Sequence, residues 1–273
     1  MSLLFIILAG VAIAVVGYVV KKRIDALDAD CEADEFIKKA ESLKEEATKK
    51  AKFAQSDCKL AFARFGEKKL RVLNHSVSNF LNHFHRLKRS RITIEGINMQ
   101  DIQRQVSDAR KINNQLDTNL KALSAPKMEK KREDAKAYLS QVEVAVKKAD
   151  AMIDNLQAVR KMTDLFTRQI TKCDALFFSL SQGAIATIKK YHYDTSLYSQ
   201  EEKDQLCVTV STLSTLIAFL KVSIMDEHQK LNEKAQKAFI LMRDQVNALE
   251  SAQKSGHYNV AMIQSNQKGL EKL

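Results

Sequence analysis

A single proline, Pro126, and only seven glycines in 273 residues leave this chain very few places where a helix must stop. Sheet-rich folds need frequent turns, and that punctuation is missing. There is no Trp, and the apolar content is mostly Leu, Ile, Val and Ala, the residues that fill seams between helices. An all-α chain is therefore expected.

The spacing of the apolar residues agrees. Ala47, Ala51, Ala54, Cys58, Ala61 and Phe65 recur at three and four, and Leu70, Leu73, Val77, Phe80, Phe84 and Leu87 do the same, with Gly66 expected to interrupt the two stripes. A mean spacing near 3.5 keeps one seam facing a partner helix. Ile92-Thr93-Ile94 alternate before Glu95-Gly96, so Ser90 to Asn98 reads as a short extended connector. A third helix is expected from Met99 to Leu123, ended by Ala125 before Pro126. The fourth, Pro126 to Tyr191, carries a seam from Val142 to Ile188, weakened only at Gly183, and would reach on the order of 90 Å. Ser199-Gln200-Glu201-Glu202 fits a capping box. It opens a fifth helix through Leu206, Val210, Leu213, Ile217, Leu220 and Ile224, and a sixth runs through Leu231, Ala235, Ala238, Met242, Val246 and Leu249.

The N-terminus reads as a membrane anchor. From Leu3 to Val20 no charge interrupts an apolar run, and Lys21, Lys22 and Arg23 follow at once. At about 1.5 Å per residue that run spans nearly all of a hydrocarbon core of about 30 Å. Cations on its C-terminal flank would hold the body in the cytoplasm, N-out and C-in. Ala12-Ile13-Ala14 resembles a cleavage site for a secretory leader, but no cation precedes the run. The expected organisation is an anchor over residues 1–20, an elongated coiled-coil-like helical bundle over 21–255 and a loose tail over 256–273.

Three blocks carry a resemblance. GEKKLRVLNHSVSNFLNHFHRLKRSRITIEGI from Gly66, AKAYLSQVEVAVKKADAMIDNLQAVRKMTDLF from Ala135 and YDTSLYSQEEKDQLCVTVSTLSTLIAFLKVSIMDE from Tyr193 together cover about half the chain. They resemble a group of uncharacterised bacterial helical proteins often labelled "chemotaxis protein". Those relatives carry a Gly/Ala-rich apolar region between the blocks, where this chain has the polar stretch Met99 to Leu123. The resemblance implies an uncharacterised bacterial helical protein and contributes no catalytic residue. The anchor read from residues 1–20 is therefore expected in an inner membrane.

Candidate sites are few. Arg86, Lys88, Arg89 and Arg91 form a basic knot suited to phosphates of lipid or nucleic acid. Cations also favour a helix C-terminus, and no aromatic residue interleaves with the knot, which argues against single-strand stacking. His75, His83 and His85 lack the i, i+4 spacing of a helical zinc pair. Asp25, Asp28, Asp30, Glu32, Asp34 and Glu35 lack the spacing of a calcium loop and read as a solvated face. Cys31, Cys58, Cys173 and Cys207 fall near apolar seams without a C-x-x-C pair and read as buried, reduced thiols. No G-x-S-x-G, P-loop or H-E-x-x-H motif is present. The expectation is a non-enzymatic scaffold without cofactor or small-molecule substrate, binding protein partners or its own copies beside the membrane. The alternative is a membrane-active stress or defence sensor whose bundle rearranges.

Overall fold

The computed structural model describes residues 31–88, 132–226 and 230–255. Over these residues the chain is all-helical and no β-strand is formed. Helix α1 spans Cys31–Val72 and passes through a π-helical turn, Leu73–Val77, into α2, Ser78–Phe84. Helix α3 is Arg132–Lys190, a 3-10 turn covers Thr195–Leu197, α4 is Gln200–Lys221 and α5 is Glu233–Ser255. The anchor of residues 1–20 with Lys21, Lys22 and Arg23, the Ser90–Asn98 connector, the Met99–Leu123 helix, Pro126 and the tail lie outside the described residues. Among the described residues no helix is long and apolar enough to cross a membrane.

The chain divides into two compact units. One draws on Met1–Leu60, Arg110–Arg160 and Asp226–Leu231, the other on Ala61–Ala109, Lys161–Met225 and Asn232–Leu273. In the first, Ala40, Ala47 and Ala54 repeat every seventh position of α1 and are buried. Phe36, Ala40 and Leu43 pack with Tyr138, Leu139, Val142 and Val146 of α3. Farther along, Arg160 donates to Asp57 at 2.9 Å. Both contacts advance in the same direction along the two helices, so α1 and α3 run parallel here. The ion pair is half exposed and adds little to stability.

Among the described residues the second unit is a bundle of four helical segments. Contacts Phe65–Phe166, Lys68–Asp174 and Phe80–Phe177 again set α1 and α2 parallel to α3. Lys190–Glu202 and Phe166–Phe219 make α4 antiparallel to α3, and Phe166–Phe239 with Gln253–Ser179 make α5 parallel to it. Phe166 thus meets an aromatic ring from each of the other three helices. Helix α4 is the centre: every residue from Val208 to Leu213 is buried, which covers all its faces. Its buried hydroxyls need no tertiary partner, because Thr209, Thr212 and Thr215 donate back to the carbonyls of Gln205, Val208 and Ser211.

Three expectations need correction. Gly66 does not interrupt the helix. A mid-helix glycine costs only about 1 kcal/mol relative to alanine, and packing on both sides carries α1 through it. The seam therefore continues in phase from Phe65 to Lys69 and Val72, and Leu70 is only half-buried. Helix α4 stops at Lys221, so Ile224 is buried from the following turn rather than from the helix, and Leu231 precedes α5 instead of belonging to it.

Candidate functional site at the end of the second unit

Helix α3 ends in Lys189-Lys190, cations that suit the negative end of its dipole. His192 and Tyr193 then take positive φ, 50° and 68°, and reverse the chain. Their N–H groups donate to the carbonyls of Lys189 at 3.1 Å and Ile188 at 2.9 Å, closing the open end of the helix. Glycine normally fills such a position. A tyrosine there is strained by about 1 kcal/mol or more, so the surrounding contacts must hold it.

They do. Lys88, just beyond α2, donates its N–H to the Tyr193 carbonyl at 2.8 Å, and its own carbonyl accepts from the N–H and hydroxyl of Thr195. The His83 ring stacks on Tyr193 with centroids 6.2 Å apart, and His83 Nδ1 lies 3.2 Å from the Tyr193 hydroxyl. Arg86 places its guanidinium over the same aromatic ring, 4.1 Å from the centroid. Burial lowers the His83 pKa, and the charges of Lys189 and Arg86 lower it further. In its neutral form the ring can accept the phenol proton at Nδ1, with its own proton on Nε2.

The carboxylates of this region are engaged elsewhere. Asp194 accepts from Ser196 N–H at 3.0 Å and from its hydroxyl at 2.7 Å. Glu202 accepts from Ser199 N–H at 2.9 Å while the Ser199 hydroxyl accepts from Glu202 N–H, the capping box read from the sequence. That backbone bond holds the Glu202 carboxyl low, and Lys190 at 3.2 Å adds to it. Tyr198 is buried against Tyr191, and burial pushes its phenol up to about 12, with Glu202, Asp194 and Tyr191 contributing.

Of the four residues of the basic knot, Arg86 and Lys88 meet at this turn, while Arg89 and Arg91 lie outside the described residues. His85 and His75 do not join His83, and among the described residues no group of His, Cys, Asp and Glu is arranged to hold a metal ion. The sequence reading missed Tyr193 and Lys189. Their signal was the aromatic run Tyr191-His192-Tyr193 between a lysine pair and the capping box.

It also missed Lys69. This side chain is 6% exposed on the core face of the second unit. Its amine lies 4.3 Å from the Phe65 centroid and 3.5 Å from the carbonyl of Val222, the C-cap of α4. Burial lowers its pKa to about 7. Its neighbour Lys68 instead pairs with Asp174 at 2.8 Å while Ser76, in the π turn, donates to the other carboxylate oxygen at 2.6 Å. Comparison with protein families, with curated proteins and with solved structures finds no match.

Proposed function

We propose that this chain is a non-enzymatic scaffold, anchored in a bacterial inner membrane through residues 1–20, that binds protein partners along its helical body in the cytoplasm. The observation that carries the reading is the set of large apolar side chains left outside the seams. In the first unit Phe53 is 70% exposed, and Leu60, one heptad on along α1, is 51% exposed. A repeat of seven on an otherwise charged surface is the pattern of a second, unfilled helix-packing stripe. Site-specific photocrosslinking from Phe53 and Leu60 in cells tests it. Discrete adducts, or a native mass above the monomer after detergent extraction, are expected. A strict monomer with no adduct at either position would remove the reading.

Lys69 and the π turn favour the second reading, a membrane-active sensor whose bundle rearranges. Among the described residues no carboxylate meets the buried Lys69 amine, which weakens the packed state, and π turns often mark functional positions. Leakage from liposomes carrying the full chain, and growth arrest on overexpression, are its expected outcomes. Intact liposomes and unaffected growth would discard it.

A further inference from the structure

We propose that His83, Arg86 and Lys189 form a binding site for a phosphate group at the exposed end of the second unit, with Tyr193 as its scaffold. The three cationic or N–H-donating side chains come from different places: α2, the turn after it and the last turn of α3. Tyr193 brings two of them, His83 and Arg86, together. Its hydroxyl meets Nδ1 of His83, which fixes the ring, and when the hydroxyl donates there the imidazole proton is on Nε2. Its ring takes the flat face of Arg86, and a guanidinium stacked by its face keeps its N–H fork available at the edge. Lys189 lies close enough for its charge to act on the same imidazole. Among the described residues no carboxylate pairs with Arg86 or Lys189, whereas Asp194 and Glu202 nearby are held by Ser196, Ser199 and Lys190. Among the described residues the charges of Arg86 and Lys189 are therefore available to an anion, while the nearby carboxylates are engaged.

The turn gives an independent reason. Two consecutive non-glycine residues with positive φ are an uncommon expense of backbone strain. A plain helix stop would use glycine. Here the strained residue is a tyrosine whose ring carries Arg86 and stacks with His83, and whose hydroxyl meets the His83 imidazole. A phosphate fits this set best: three tetrahedral oxygens can accept from a guanidinium edge, an ammonium and an imidazole N–H together. The group could belong to a free phosphate compound or to a lipid headgroup, and the chemistry of recognition is the same.

The test uses the full chain in zwitterionic detergent, with the histidine rings labelled for NMR. Inorganic phosphate is titrated at constant ionic strength against a chloride control, and the His83 resonances are followed. A saturable shift and a rise in the His83 pKa are expected, since a bound anion favours the imidazolium form. Arg86→Ala and Lys189→Ala should each weaken the apparent affinity roughly tenfold, the loss of one charge-assisted contact, while circular dichroism stays unchanged. Tyr193→Phe retains the ring under Arg86 but frees the His83 imidazole, so a smaller weakening is expected. If free phosphate is silent and nanodiscs containing phosphatidic acid shift His83 where phosphatidylcholine nanodiscs do not, the site holds and its source is a lipid headgroup. The proposal is overturned if neither probe moves His83, if chloride reproduces the shift, or if both alanine variants respond like the native chain.

Discussion

Replacing Lys69 by methionine should stabilise the second unit, and by an amount that depends on pH. Burial takes the amine from its ordinary value of 10.5 to about 7. Below pH 7 both the folded and the unfolded chain carry the proton, so the folded state bears the whole penalty of a buried charge. At about 1.36 kcal/mol for each pH unit between 7 and 10.5, that penalty is near 5 kcal/mol. Between pH 7 and 10.5 the unfolded lysine is protonated and the folded one is not, so native stability rises by about 1.4 kcal/mol per pH unit. Near pH 9 about 2 kcal/mol of the penalty remains, and above 10.5 none. Methionine keeps a flexible stem of similar length against Phe65 and loses only the 3.5 Å contact to the Val222 carbonyl and an ammonium–ring attraction of about 1 kcal/mol. Lys69→Met should therefore gain about 4 kcal/mol near pH 6 and about 1–2 kcal/mol near pH 9. Urea unfolding followed by circular dichroism at both pH values, native against variant, isolates the term because every other titrating group is shared. A gain that does not change with pH, or a loss near pH 6, would refute the account.

Ser199→Ala removes the hydroxyl that caps α4 and should cost about 1 kcal/mol, read as a lower urea midpoint with unchanged slope. Gly183→Ala should raise the melting temperature slightly. A new Cβ would sit 2.6 Å from the Gln205 amide nitrogen; that is the tip of a flexible side chain, so its displacement offsets only part of the helix-propensity gain of about 1 kcal/mol. A fall in melting temperature would show that Gln205 is fixed. Cys58 and Cys173 should resist an aromatic disulfide reagent near pH 8 until urea is added, because burial drives both thiols up, Cys58 to about 11. Half-buried Cys207 should react first, and equal rates for all three would contradict their burial. An alkaline phosphatase fused after Leu273 should be inactive on the native chain and active once Lys21, Lys22 and Arg23 become Glu. Activity on the native chain would place the body outside the cytoplasm.

Much of the helical frame was legible because helices announce themselves by period and by caps. Ser199 and Glu202 fixed the start of α4 without any tertiary information. The seams of α3 and α5 fell where the apolar residues recur, with Phe166, Ile170, Cys173 and Phe177 buried in order. Lys69 was hidden by one decision, restarting the stripe after Gly66. Carrying the spacing of three and four through the glycine leads from Phe65 to Lys69 and Val72, a charged residue in a seam position, which is the signal to look for. The site at Tyr193 was less accessible. His83 and Tyr193 are separated by 110 residues, and a periodic pattern carries no information about which helix end meets which.

Helix direction shows the same limit. The connections from α3 to α4 and from α4 to α5 are far shorter than these helices, so antiparallel neighbours are the expected arrangement. The long stretch between Phe84 and Arg132 leaves both directions open for α1 against α3, and a heptad stripe reads the same either way. The identity of the central helix, by contrast, was available and went unread. From Gln205 to Leu220 there is no charged residue on any face, whereas α1, α3 and α5 keep Lys, Arg, Asp and Glu on their outer sides. A stripe counts only the residues that face one partner. A helix with no solvated face must have partners all round, and the hydroxyls of Thr209, Thr212 and Thr215, each returned to its own backbone, let it be buried without polar partners from its neighbours. The absence of charge was the stronger clue to position than the period of the apolar residues.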